Sequence, residues 1–316
     1  SMLENLFPSA PFGLAIGIVW GVLAFASAVI FMLHRRVSES LSSELISRTR
    51  TWYGIVAAIT IASLLGELAM IIVLGWLSYM ALKEYLTAVP IRRADRRSLL
   101  IAYLLIPIQY AFIANDRFGF FTIFIPVYGF FLVAFGLILS GVTSGFVRSV
   151  GLLHWGIVLT VYNLSHLAFL LKLDPAPGQT FEGFELLLFV LIITQINDVT
   201  QYVWGKRFGK TKIAPTISPG KTWEGFLLGG LTTMAISAAL APLLTPYPLP
   251  HALMIGLILA VTGFIGDIVL SAVKRDLGLK DMGSVLPGHG GYLDRLDSLT
   301  LSAPIFLHYT RFFFGS

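Results

Sequence analysis

The sequence predicts an all-α, polytopic integral membrane protein, and three observations predict it. Hydrophobic residues make up 56% of the 316 positions and charged residues only 12%, far from the balance of a soluble domain. The mean hydropathy is strongly positive. Nine apolar runs recur along the chain, at 13–33, 54–86, 98–114, 119–140, 151–171, 184–204, 223–245, 252–273 and 299–314. Most approach the roughly 20 residues that cross a bilayer core as helix. Inside a bilayer no water satisfies the backbone, so such runs must be helical, and no alternating pattern suggests a barrel. No polar stretch is long enough to be a separate soluble domain.

Charge and cysteine content bound the function. The net charge of +5 in so apolar a chain reads as basic loops beside anionic lipid, not as nucleic-acid binding. The absence of cysteine excludes disulfides and cysteine-ligated zinc and leaves the compartment open.

Taking the elements in order, Ser1-Met2 reads as an added remnant ahead of a natural start. Basic residues, not a small-residue cleavage site, follow the first run, so no removable signal peptide is expected. The stretches "HRRVSESLSSELISRTR" and "IRRADRR" are both basic, yet only the run 54–86 separates them. That run has Gly66-Glu67 at its middle, which predicts two short helices or a re-entrant hairpin folded at Gly66, returning the chain to the side it left. The third to fifth runs are plain apolar helices. Between the fifth and sixth, Lys172 meets Asp174 and Glu182. Between the sixth and seventh stand Lys206, Arg207, Lys210, Lys212 and Lys221 without an acid, which marks the cytoplasmic side. "TPYPLPH" between the seventh and eighth runs carries no formal charge and should face the other side. Two crossings later the chain is back on the basic side, so the loops 204–222 and 274–298 share one face.

That second loop belongs to "SAVKRDLGLKDMGSVLPGHGGYLDRLDS", residues 271–298, which packs four Lys/Arg, four Asp and one His into 28 positions. Asp267, just before it, and Ser271 and Lys274 within it fall at i, i+4 and i+7, one helix face. A carboxylate at membrane depth is costly and commonly marks a functional path. A structural ion pair with Lys274 or Arg275, or snorkelling at a helix end, accounts for Asp267 equally well. Downstream, Pro287, Gly288, Gly290 and Gly291 make a tight loop whose N–H groups can approach a ligand closely. Asp294 and Asp297 then share a face at i, i+3. A hard cation such as Mg²⁺ is held by one or two carboxylates, with substrate phosphate and water completing the octahedron. Three inward acids beside basic residues and a Gly-rich loop favour a metal-phosphate site over an ordinary turn with a dipole-complementing acid. His289 could be a phosphate donor, an acid/base group or a structural residue, with phosphate contact slightly favoured.

The stretch "NDVTQYVWGKRFGKTKIAPTISPGKTWEG", residues 197–225, holds Asp198 and Gln201 on an otherwise apolar helix. Its "SPGKT" is not a phosphate-binding P-loop, because Pro215 stands where the first glycine belongs. Ser218 or Thr222 instead caps the next helix, whose N-terminus with Lys221 attracts an anion.

These two stretches resemble the phosphatidate cytidylyltransferase family, the CDP-diacylglycerol synthases. The 271–298 segment resembles the family's C-terminal signature throughout, and "ND...GKRFGKTKIAPTISPGKTWEG" resembles its second motif, so the likeness covers residues 190–316. The first half is similar only in hydropathy and in "KEY" at Lys83 to Tyr85. Gln201 departs from the alanine more frequent in bacterial housekeeping members, which points to a paralogous branch.

The resemblance implies the reaction of CTP with phosphatidate to give CDP-diacylglycerol and pyrophosphate, with Mg²⁺ as cofactor and a second metal ion left open. It implies metal ligands at Asp267 and Asp294, with Asp297 as a further ligand or an outer partner. Lys274, Arg275 and Arg295, with Asp281 and His289, are the expected catalytic group. Asp198, Ser218, Lys221, Thr222, Ser271, Gly290 and Gly291 are the expected substrate-binding group. The expected layout is 1–180 as N-terminal membrane helices and 181–316 as the catalytic membrane region, in the inner (plasma) membrane with the site facing the cytoplasm. CTP, phosphatidate and membrane lipid are the expected partners, nucleic acid is not, and a homodimer is left open. Such chemistry needs in-line positioning and neutralised phosphate charge more than covalent help. The nearest alternative is a related transferase acting on another lipid phosphate. A transporter would show repeated halves, which the chain lacks, and a scaffold would have little reason to gather three acids at a Gly-rich loop.

Overall fold

The computed structural model describes residues 6–33, 39–286 and 290–316. Ser1-Met2, expected to be an added remnant, and the expected site residues Pro287, Gly288 and His289 lie outside them. The chain is helical nearly throughout, as its composition requires. In order come α1 (Ala10–Leu33), α2 (Glu39–Leu65), α3 (Glu67–Ala88) and α4 (Leu99–Ala114). Next, α5 (Phe118–Ile123) and α6 (Phe130–Ile138) are joined by a π-helical turn, as are α7 (Phe146–Ile157) and α8 (Asn163–Phe169). The first of these wide turns, Phe124–Gly129, contains Pro126, whose missing N–H removes a ladder bond. Then follow α9 (Gly183–Phe208), a hairpin of β1 (Lys212–Ala214) and β2 (Ser218–Thr222), α10 (Trp223–Leu244), α11 (Leu249–Asp276), α12 (Leu293–Leu296) and α13 (Leu299–Phe314). Among the described residues, 8 helical segments are long and apolar enough to cross a membrane.

Gly66 is where the 33-residue apolar run turns. Its φ of 101° lies where side chains are disfavoured, and it ends α2 and starts α3. The expected reversal at Gly66 is present, although the helices on either side are not short. α2 starts at residue 39, well before the apolar run, because the preceding Ser, Glu and Arg residues are helix-compatible. α1 and α2 lie antiparallel, with Trp20 Nε1 donating to Thr60 Oγ1 at 3.1 Å and Ser27 meeting Tyr53 at 2.9 Å.

Pairings between distant residues identify the two ends of the bundle. Glu67, at the start of α3, pairs with Lys172 after α8. Ser9, before α1, donates to Glu185 in the first turn of α9 at 2.6 Å. The last turn of α13 meets the 173–182 loop, Ala176 N donating to Phe314 O at 2.9 Å. At the opposite end, Arg92 donates to the carbonyls of Val142 and Ser144 and pairs with Asp95. The 209–222 loop and the described residues of the 277–298 loop lie at this second end, as the charge pattern predicts, with Arg275 donating to Ile217 O between them. It gathers Arg92, Arg93, Arg96, Arg97, Arg148 and the basic residues of both motif loops.

The second-motif loop contains the β-hairpin, which the hydropathy pattern did not predict. Ile217 N donates to Ala214 O at 3.2 Å across a turn with Pro215 at its second position, and β-branched Ile213 and Thr222 in the strands, with Thr211 and Ile217 flanking them, suit the hairpin. Arg275 holds the hairpin down by donating to Ile217 O at 3.1 Å. Small residues let the C-terminal helices touch. A side chain at Gly225 or Gly229 of α10 would begin 2.7 Å from Gln201 O or 2.5 Å from Gln201 Cγ, and one at Gly266 would overlap Asp297 O. α9, α10, α11 and α13 therefore approach closely enough for their polar side chains to meet.

Candidate active site

Three acids converge where α9, α11 and the start of α13 come together. Asp198 on α9 receives the Ser298 hydroxyl, whose Oγ lies 2.8 and 2.7 Å from its two oxygens. Asp297, directly before Ser298, is buried, and its Oδ1 accepts Ser298 N at 2.7 Å. Asp267 on α11 accepts from Ser271 Oγ at 3.4 Å, which bears out their shared helix face. Burial and then the carboxylates of Asp267 and Asp198 hold Asp297 well above the ordinary aspartate range.

One cation enters this group from the hairpin. Lys221, next to the cap residue, forms an ion pair with Asp267. Burial opposes its charge, but the Asp267 carboxylate, with help from Asp198 and Asp297, holds its ammonium above the usual lysine range. Thr222 caps α10 as expected, its Oγ1 accepting Gly225 N at 3.1 Å. Ser218 begins β2 instead, so of the two capping candidates Thr222 is the cap.

A second pair of acids serves the Gly-rich loop. Asp294, buried in α12, accepts Lys274 Nζ at 3.0 Å on one oxygen, and Met282 N at 2.8 Å and Gly291 N at 2.9 Å on the other. Glu84, buried near the end of α3, accepts Tyr292 N at 2.8 Å and Leu293 N at 2.9 Å. Gly290 has a φ of 80°, and a side chain there would begin 2.8 Å from Asp294 Oδ2. Asp281 is exposed beside Gly290, and Arg295 is exposed on α12 within electrostatic reach of Asp198.

Several expected partnerships are rearranged. Lys274 shares its helix with Asp267 but pairs with Asp294, while Asp267 pairs with Lys221. The expected ligand set Asp267, Asp294 and Asp297 is not gathered at one point: Asp294 is turned to the loop, and Asp198 takes its place beside the other two. Among the described residues, no three acidic or imidazole side chains form a ready metal-ligating group. The Gly291 N–H, expected to face a phosphate, is given to Asp294 because a buried carboxylate is the nearest strong acceptor. Arg275 spends its guanidinium on the carbonyls of Ile217 and Leu279.

Glu84 and Ser298 are the site residues that motif reading missed. The only signal for Glu84 was an acid in "KEY" at the end of an apolar run. Gln201 is buried and donates to Asn197 Oδ1 at 3.2 Å, and Thr233 donates to the same atom at 3.0 Å, tying α9 to α10 beneath the acids.

The donor chemistry fits a hard divalent cation. Asp198, Asp267 and Asp297 do not close into one ligand group as they stand, but with one lysine against three acids they carry the carboxylate oxygens such a cation takes, and Mg²⁺ is commonly held by only one or two carboxylates when phosphate completes its shell.

Comparison with known proteins adds independent findings. A profile described as the Cytidylyltransferase family matches residues 46–313. Uncharacterized protein YnbB of Escherichia coli K12 is 40% identical over 299 residues, 94% of this chain and 98% of its own. Phosphatidate cytidylyltransferase of Haemophilus influenzae is 36% identical over 148 residues, 45% of this chain and 51% of its own length. That of Bacillus subtilis is 41% identical over 129 residues, covering 40% and 47%. The chain thus spans about half the length of these two relatives.

Proposed function

Because the chain belongs to the Cytidylyltransferase family, we propose that it transfers the cytidylyl group of CTP to phosphatidate, releasing pyrophosphate and forming CDP-diacylglycerol within the membrane. The observation that carries this reading is the meeting of Asp198, Asp267 and Asp297 with Lys221 at the basic end of an otherwise apolar bundle. A water-soluble nucleotide can reach that end while the lipid's tails remain between helices. The basic end faces the cytoplasm by the distribution of Lys and Arg.

In this reading Asp267 and Asp297, with Asp198 beside them, would hold Mg²⁺, which would supply neutralisation of phosphate charge. Lys221 is placed to contact a phosphate oxygen once Asp267 turns to the cation. Lys274 and Arg295 extend the positive field across α12 toward the incoming lipid phosphate. That phosphate is already an anionic nucleophile, so no general base is required; its oxygen attacks the α-phosphorus of CTP, and the bond to pyrophosphate breaks in line.

The test is purified protein in detergent with labelled CTP, phosphatidate and Mg²⁺. CDP-diacylglycerol and pyrophosphate in equal amounts are expected. A second reading, transfer to a different lipid phosphate, is favoured by one observation: likeness to the Escherichia coli YnbB protein runs the length of the chain, whereas likeness to the named phosphatidate enzymes does not. Product formed with another lipid phosphate and not with phosphatidate would select it.

A further inference from the structure

We propose that Glu84 is a positioning residue for the transfer site, supplied by the N-terminal half of the chain to lock the Gly-rich loop in its working shape; this inference rests on the functional reading above. Three consecutive N–H groups, of Gly291, Tyr292 and Leu293, point at carboxylates: the first at Asp294 and the other two at Glu84, one on each oxygen. Leu293 is the first residue of α12 and Tyr292 its cap position, and a helix start leaves such N–H groups without internal partners. Met282 N adds a fourth from the opposite strand of the loop. Glu84 and Asp294 thus clamp Met282 and the segment Gly291 to Leu293 from two sides.

The fit is tight. A side chain at Gly291 would begin 2.5 Å from Glu84 Oε2, and one at Gly283 would begin 2.8 Å from Glu84 Oε1, so the two glycines admit the carboxylate between the strands of the loop. Glu84 itself sits on a rigid support, since the neighbouring Tyr85 is buried and donates to Leu152 O at 2.8 Å. Trp76, two turns earlier on α3, packs edge-on against Tyr292 at 5.3 Å between ring centroids, which fixes the same loop from the bilayer side. The consequence reaches the site through α12. Leu293 opens that helix, and α12 carries Asp294, Arg295 and, at its end, Asp297. Loosening Tyr292 and Leu293 therefore moves the Lys274–Asp294 pair and the Asp297 carboxylate together.

Glu84→Gln keeps the size but turns one acceptor into an NH₂ donor facing a backbone N–H, while Glu84→Asp keeps the charge and shortens the reach. Both variants and wild type are compared in one lipid nanodisc preparation by hydrogen exchange and by initial rates. For Glu84→Gln, faster exchange confined to residues 282–296 is expected, with kcat lowered about 100-fold, KM for CTP changed less than threefold and the melting temperature nearly unchanged. Glu84→Asp should restore part of both the protection and the rate. Unchanged exchange at 282–296, or wild-type kcat in Glu84→Gln, would overturn the inference. So would a rate loss that merely tracks global melting. If wild type transfers no cytidylyl group to any lipid phosphate, the functional reading falls and the catalytic half of this inference with it, while loop protection alone still decides whether Glu84 orders residues 282–293.

Discussion

Replacing Lys221 and Asp267, singly and together, distinguishes an active-site pair from a structural one. Each side chain is about one-fifth exposed, 20% and 21%, so the pair is largely but not wholly sheltered. At an effective dielectric near 20, opposite charges about 4 Å apart attract by about 4 kcal/mol. Desolvation offsets much of that, leaving a coupling of about 1–2 kcal/mol in folding stability. Lys221→Met leaves Asp267 beside Asp198 and Asp297 without its cation; Asp267→Asn leaves a half-buried ammonium. Each single variant should therefore lose stability, and the double variant should recover part of the loss, whichever role the pair has. Activity separates the roles. If Asp267 holds the cation and Lys221 a phosphate, each single change should lower kcat by about 10²–10³-fold, as the loss of one electrostatic contact to a transition state commonly does, and the double variant should be no better than the worse single. Cytidylyl transfer is followed by product chromatography at saturating CTP, and stability by thermal unfolding of the same samples. A double variant with near wild-type turnover would refute the catalytic assignment.

Asp294→Asn should drop transfer below about 1% of wild type and lower thermal stability by about 1.5–3 kcal/mol, because a charged acceptor of three hydrogen bonds is lost; unchanged melting in nanodiscs would contradict the hub role. Gly225→Ala should cost about 1–3 kcal/mol by forcing α10 from the Gln201 and Gly205 backbones, seen as a lower melting temperature, and equal melting would show that α9 and α10 yield easily. Cysteines introduced at Thr216 and Lys280 should react with an impermeant maleimide only in inside-out vesicles, and one at Thr180 only from the other side; any reversal would overturn the orientation. Raising Mg²⁺ should partly restore Asp267→Asn and should leave Asp294→Asn unchanged, read from initial rates, and equal rescue of both would return Asp294 to the ligand set.

The sequence showed those parts of the fold that depend on local pattern. Apolar runs near bilayer length gave the helices, Gly66 in the middle of a double-length run gave the reversal, and the basic loops gave the shared end. Ser271 with Asp267 follows from spacing alone, and Thr222 is one of two cap candidates in "SPGKT". What stayed hidden depends on which chain segments meet. Lys221 reaches Asp267 because a short hairpin folds back over α11, and that hairpin lies in a loop where hydropathy carries no signal. Glu84 stands more than 200 residues from the N–H groups it accepts. A single acid ending an apolar helix looks the same whether it faces water or a distant loop.

The acids of the site divide into two jobs, and the division explains why counting carboxylates in the sequence overstates how many are free to take a cation. Asp198, Asp267 and Asp297 face one another, and the burial that raises Asp297 makes their mutual repulsion costly unless a cation balances it. Lys221 supplies one positive charge and leaves a negative excess, the condition in which a divalent ion and its phosphate gain most. Glu84 and Asp294 face backbone N–H groups and Lys274 instead, and their charges are already used. A carboxylate that accepts several hydrogen bonds cannot also turn to a cation without releasing the loop it holds. The Gly-rich segment is therefore shaped by protein acids before any substrate arrives, and preorganisation of this kind lets a site built from both halves of the chain align two phosphates without a nucleophile of its own.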